Sequence, residues 1–316
     1  MPPIRVTLPG VSGEFEFIER LTKLLAGPPA GQVWIGDDAA VLDGGQLLAT
    51  DALVEGVHFD RAFCDLADVG WKALAVNASD IAAMGGTPLA AVAALVTPPG
   101  TGLADAVAGG LAQAAEALSC PLVGGDTTGG PALMISVAIL GTSPTSGPVL
   151  RSGARPGDSI YLTGTLGMAG AALADLRAGR DPAPEALLRL NRPTPRLTEG
   201  RAAAAAAATA MIDVSDGLVA DLRHICDASG VGATIIDGAV PVTGGTFGES
   251  PSVGGDDYEL CFTAADPRAV ETSFDDAGLT APARIGLITA RADLTLRLAD
   301  GRDRRLCETG WEHQIG

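Results

Sequence analysis

Apolar positions follow two alternating rhythms along the chain. Residues 69–84 place Trp71, Leu74, Ala75, Ala78, Ile81 and Ala82 at helical spacing, and Gly85-Gly86 stops the pattern. Residues 102–118 read as an Ala-rich helix, and 167–178 and 217–228 as two more. Between them lie apolar runs of strand length at 46–50 (running into Asp51), 89–96, 133–140, 159–163, 210–214 and 258–263. Leu122-Val123 ends a further strand, after which 124–130 reads as a Gly-rich loop. The Ala-rich run 202–212 has the length of a soluble helix and falls short of the ~18 apolar residues of a membrane span. Strands alternating with helices predict an α/β (α+β) chain.

The stretch 141–148, Gly-Thr-Ser-Pro-Thr-Ser-Gly-Pro, is the most linker-like in the sequence. A boundary there divides the chain into 1–146 and 147–316. The full 316 residues suit two domains at the usual ~100–200 residues each. A second irregular region, 238–255, precedes the strand at 258–263.

Charge narrows the partners. With 21 Lys+Arg against 38 Asp+Glu the net charge is −17, which repels nucleic-acid backbones and anionic lipid heads. Phosphorylated small molecules remain open to such a chain if metal ions neutralise the encounter. Five scattered cysteines without CxxC spacing read as buried thiols in a reducing compartment, and the N-terminus lacks a signal-peptide build. A cytoplasmic location is the expectation.

Candidate chemistry gathers where Asp meets Gly at the ends of elements. The cases are Asp37-Asp38, Asp51, Asp80, Asp126, Asp213, Asp216-Gly217 and Gly255-Asp256-Asp257. Each alone reads as a turn or helix cap. As a set they could hold several Mg²⁺ ions, which take oxygen ligands and bridge carboxylates to phosphates. Asn77 and Asp80 share a helix face, and Asp213 and Ser215 point the same way on a strand. Ser215-Asp216-Gly217 opens a helix whose free N–H groups favour phosphate, although simple capping is the plainer alternative. The Gly-rich stretch could let backbone approach a phosphate closely, yet it is neither a Walker nor a Rossmann motif. Protein-kinase signatures and a GxSxG elbow are absent. His224 reads as structural, His58 is open between packing and binding, and Lys72 reads as a solvated helix residue.

Taken in order, several segments resemble the thiamine-monophosphate kinases of the aminoimidazole-ribonucleotide-synthetase-like superfamily. They are GEFEFIERL (13–21), IGDDAAVL (35–42), TDALVEGVHF (50–59) and WKALAVNASDIAAMGGTP (71–88). VGGDTTGG (123–130), RSGARPGDSIYLTG (151–164), MIDVSDGLVADLRHI (211–225) and GGDDYELCFT (254–263) complete the set. Sibling families fit less well: the first cysteine is Cys64, too late for a selenophosphate synthetase, and no cysteine ends the chain as in the hydrogenase-maturation relatives.

The resemblance implies a two-domain fold whose N-terminal sheet pairs with a twin across a dimer axis in a barrel-like core, followed by a C-terminal α/β domain. It implies a homodimer that phosphorylates thiamine monophosphate with ATP and several Mg²⁺ ions, with no catalytic general base. Asp38, Thr50, Asp51, Asp80, Asp126, Asp213 and Asp216 fall on the family's metal positions. Gly125, Asp126, Arg151 and Ser215 fall on nucleotide contacts, and His58, Asp256 and Trp311 on acceptor contacts. Two positions depart from the pattern: Ala49 lacks the hydroxyl common before the Thr-Asp pair, and Asp256 stands where Glu is usual. A non-catalytic Mg²⁺- and nucleotide-binding regulator, or a sibling ATP-dependent synthetase, is the alternative reading.

Overall fold

The computed structural model of the chain describes residues 13–249 and 255–306. Two mixed sheets and eight α-helices make up its two domains among these residues. The first sheet contains β1 (Ala40–Val41), β2 (Gln46–Val54), β3 (Thr87–Thr97), β4 (Leu122–Gly129) and β5 (Met134–Thr142) in the order β1-β2-β5-β3-β4. Helices α1 (Glu14–Leu24), α2 (Leu66–Ala83) and α3 (Leu103–Ala117) accompany it. Alternation sets its inner face: Leu47, Leu53, Ile135, Val137 and Ile139 pack against Leu74 and Ile81 of α2 and Val107 and Leu111 of α3. On the outer face Leu48 pairs with Leu140, and Val92 with Ala138. Leu48 and Val92 are exposed, as are Leu89 and Val123 nearby. Among the described residues of one chain this sheet is open, with β1 and β4 as edges, and no closed barrel forms.

The second sheet contains β6 (Ser159–Leu162), β7 (Ala210–Asp216), β8 (Gly232–Ile236), β9 (Gly255–Ala264), β10 (Ala283–Thr289), β11 (Leu294–Arg297) and β12 (Asp303–Arg305). Its order is β12-β11-β8-β10-β6-β9-β7. Five helices surround it: α4 (Met168–Arg177), α5 (Pro184–Asn191), α6 (Leu197–Ala205), α7 (Leu218–Ser229) and α8 (Pro267–Asp276). Ile160, Leu162, Ile212 and Val214 face the core under Leu222 and Ile225 of α7. Tyr161, Met211, Leu260 and Phe262 face the opposite way, toward α6 and α8. Burial on both faces explains why these strands read as continuous apolar runs. Ala82 and Ala83 of α2 belong to this second cluster, so α2 serves both domains.

Two expectations need correction. The Gly-rich stretch is not a loop: β4 continues through Gly129, held extended by parallel pairing from Val92↔Gly124 to Thr97↔Gly129. A side chain at Gly125 would run into the Ala93 carbonyl, so close strand packing accounts for that glycine. The run 202–212 is not one helix either. It splits into the end of α6 and the start of β7, with Ala207 at φ 57° between them.

Candidate functional site

A cavity of about 1040 Å³ opens between the domains, and most of the candidate residues line it. Four parts of the chain deliver its clustered candidate carboxylates. The loop before β1 supplies Asp37 and Asp38, β2 supplies Asp51, α2 supplies Asp80, and β7 supplies Asp213 and Asp216. Asp38, Asp80 and Asp213 bring carboxylate oxygens within 4.8 Å of one another. Sequence spacing could not show this convergence, because Asp38 and Asp213 are 175 positions apart.

Neighbouring groups hold these side chains. The Arg151 guanidinium donates to both oxygens of Asp38, at 2.7 and 3.3 Å, and the Arg151 backbone N–H reaches Asp37 at 3.1 Å. Ser79 donates to Asp213 at 2.6 Å. Asn77 is a bracket: its Oδ1 accepts the Asp51 N–H at 3.0 Å and its Nδ2 donates to the Ala73 carbonyl at 2.8 Å. Asp221, buried on α7, accepts the backbone N–H groups of Gly217 and Asp216 at 3.0 and 3.3 Å. It thereby fixes the turn that carries Ser215 and Asp216 into the cavity.

Crowding sets the proton affinities. Desolvation, then the neighbouring Asp38, pushes Asp37 up to about 7. Asp80 is raised well above the usual carboxylate range by desolvation and by Asp51 and Asp213. Asp51, open to the cavity yet enclosed by its walls, is raised by desolvation and by Asp38. Asp213 is raised by desolvation and Asp38 against the lowering bond from Ser79. Such a cluster of anions is a standing demand for cations. All its donors are hard oxygens, which suits Mg²⁺.

The same cavity also has apolar walls: Val57, Phe59, Phe63, Val69, Ala169, Leu173 and Leu190 line it, as do His58 and Asp256. His58 Nδ1 accepts the Val54 N–H at 3.1 Å, which assigns the ring proton of a neutral imidazole to Nε2. His224, expected to be structural, also lines this space. Lys72 is corrected more sharply: it is 5% exposed and pairs with Asp256 at 3.1 Å.

Thr50 borders the cavity while its hydroxyl donates to the Val137 carbonyl at 2.8 Å. Gly125 and Asp126 sit apart from it, exposed on β4. Trp311 lies outside the described residues.

Residues 36–143 match the family described as AIR synthase related protein, N-terminal domain, and 155–299 its C-terminal domain. The thiamine-monophosphate kinase of Salmonella typhimurium is 40% identical over 270 residues, covering 79% of this chain and 82% of its own. That of Escherichia coli K12 is 36% identical over 327 residues, covering 95% and 98%. A solved structure, AaThiL complexed with AMPPCP and TMP, superposes with TM-score 0.82 at 32% identity, covering 95% and 97% of the two chains.

Proposed function

The chain belongs to the thiamine-monophosphate kinases of the AIR synthase related family, and we propose that it phosphorylates thiamine monophosphate with ATP. One observation carries this reading: the carboxylates of Asp38, Asp80 and Asp213 converge in a cleft that also has apolar walls. Asp38, Asp51, Asp80, Asp213 and Asp216 would hold more than one Mg²⁺, with Thr50 at the rim. Bound there, Mg²⁺ neutralises the phosphates that the bare carboxylates would repel. Arg151 and Ser215, which line the same cleft, would orient the nucleotide.

The acceptor oxygen belongs to a phosphate monoester whose second pKa is ~6, so it is largely anionic at neutral pH and needs no general base. Positioning for in-line transfer is then the main task of the protein. The apolar walls, with His58 and Asp256 in the same lining, suit the organic part of the acceptor.

The open N-terminal sheet supports a homodimer, because its outer face leaves Leu48 and Val92 exposed. The exposure of Gly125 and Asp126 fits a metal and nucleotide role completed by a second copy. A monomer in sedimentation at micromolar concentration would remove the dimer. We take 1–146 and 147–316 as the functional units and the cytoplasm as their location. Among the described residues no helix is long and apolar enough to cross a membrane.

The test is direct. Purified protein with ATP, Mg²⁺ and thiamine monophosphate should form thiamine diphosphate and ADP. Binding of both substrates without product would leave a regulator, and product only with a sibling family's substrate would reassign the enzyme.

A further inference from the structure

Lys72, Asp256 and Tyr258 form a small constellation in the cleft wall, Lys72 and Tyr258 buried and Asp256 partly exposed, that the phosphoryl-transfer chemistry does not use. Lys72 reaches across from α2 in the first domain, whereas Asp256 and Tyr258 stand two apart on β9 in the second. Both donors meet the same oxygen: Lys72 Nζ lies 3.1 Å, and the Tyr258 hydroxyl 3.0 Å, from Asp256 Oδ1. The Lys72 side chain is 6% exposed and that of Asp256 37%. A buried ammonium without its counter-charge is strongly unfavourable, so Asp256 cannot swing away without stranding Lys72. Both β9 residues also adopt positive φ, 62° at Asp256 and 51° at Tyr258, so the backbone too is held in a sparsely populated conformation.

We propose that Lys72 and Tyr258 are positioning residues, which fix Asp256 by one oxygen so that its other oxygen faces the organic part of the acceptor. This deepens the kinase reading and rests on it. The chemistry that a fixed carboxylate recognises is a cation or an N–H donor. Thiamine monophosphate presents both, in its thiazolium ring and its aminopyrimidine. Shortening the side chain from Glu to Asp, noted above as a departure from the family pattern, makes such fixing more consequential. A short carboxylate has less reach with which to correct its own aim.

The constellation is tested with Tyr258→Phe, which removes one oxygen, alongside Lys72→Met, Asp256→Asn and the double variant Tyr258→Phe/Asp256→Asn. Each is assayed for KM of thiamine monophosphate, KM of ATP and kcat. Tyr258→Phe should raise the acceptor KM about tenfold, the scale of a hydrogen bond to a charged group, with ATP KM and kcat moving less than about twofold. In the double variant Tyr258→Phe should add nothing to Asp256→Asn, since the hydroxyl acts only through that carboxylate. Additive effects, an unchanged acceptor KM, or a loss concentrated in kcat or ATP KM would overturn the proposal. The last outcome would place Lys72 or Tyr258 with the phosphates instead.

Failure of the kinase reading is separable, because wild-type protein without turnover shows it directly. Calorimetric binding of thiamine monophosphate to the same full-length proteins then decides the proposal without catalysis. The expected result is a Kd about tenfold weaker in Tyr258→Phe, at the same scale per hydrogen bond. An equal Kd, or no binding by the wild type, overturns it.

Discussion

Asn at position 80 would exchange one oxygen for an amide and remove a charge from the most crowded part of the cleft. Desolvation raises Asp80 most, and Asp51, Asp213 and Asp38 add their repulsion. Asp80→Asn should therefore lower kcat by roughly a hundredfold or more, the scale of losing one electrostatic element of an active site. In chelator the same change should leave the melting temperature equal or a few degrees higher, because functional crowding is stored strain. Enzyme assay and thermal melts on one preparation check both halves; a fully active variant would take Asp80 out of the site. The carboxylates were legible in the sequence because Asp beside Gly at element ends is a local signal. Lys72 was not. It lies off the apolar stripe of Trp71, Leu74 and Ile81, where an ordinary surface helix meets water, but α2 is buried from Val69 to Ala83 almost all round. The usable signal was the rest of the helix: between Val69 and Ala83 it carries only Lys72 and Asp80 as charges, which describes an enclosed helix.

At the scale of elements, α2 must sit correctly for the site to exist, since it carries Lys72, Asn77 and Asp80. Its partner α3 approaches through glycines. A Cβ at Gly110 would strike the Ala67 carbonyl oxygen, and one at Gly70 the Val107 carbonyl oxygen. Both obstacles are backbone, so a methyl group there must push the helices apart. Gly110→Ala should destabilise the fold by about 1–3 kcal/mol, as overpacking does, and lower activity with it. Gly109→Ala is the control, because a Cβ there meets nothing within 4 Å. It should stabilise α3 by about 0.5–1 kcal/mol through helix propensity alone. Urea titration of both variants reads the difference, and equal effects would mean that the crossing is not tight. The periodic cores of α2, α3, β3, β5 and β7 were readable from spacing, with ends misplaced by a few residues. Pairing was not readable. Nothing local says that Gly-rich 124–129 will be held as a strand by its neighbour β3, or that β8 and β10–β12 will extend the second sheet.

For the whole molecule, the raised carboxylates couple stability to pH and to divalent cations. Asp37 titrates near 7 and Asp257 near 6 in the folded chain, both driven up first by desolvation, from an ordinary value of 3.8. Asp51, Asp80, Asp213 and Asp221 are raised in the same direction. Between about pH 4 and 7 the folded chain therefore binds more protons at these groups than the unfolded chain does. Stability falls as pH rises through that window, and the net charge of −17 adds self-repulsion of the same sign. In chelator the melting temperature should be higher near about pH 6 than near about pH 7.5. At the carboxylates that line the cleft, Mg²⁺ competes with those protons for the same oxygens, so its stabilising effect should be larger at the higher pH. Melts in a two-by-two design of pH and Mg²⁺ measure the coupling. The deciding control is Na⁺ at matched ionic strength, which screens surface charge without bridging buried carboxylates. If Na⁺ reproduced the whole gain, the convergence of Asp38, Asp80 and Asp213 would be no more than crowded surface charge. If only Mg²⁺ does so, and most strongly where the carboxylates are ionised, the cluster is a chelating site.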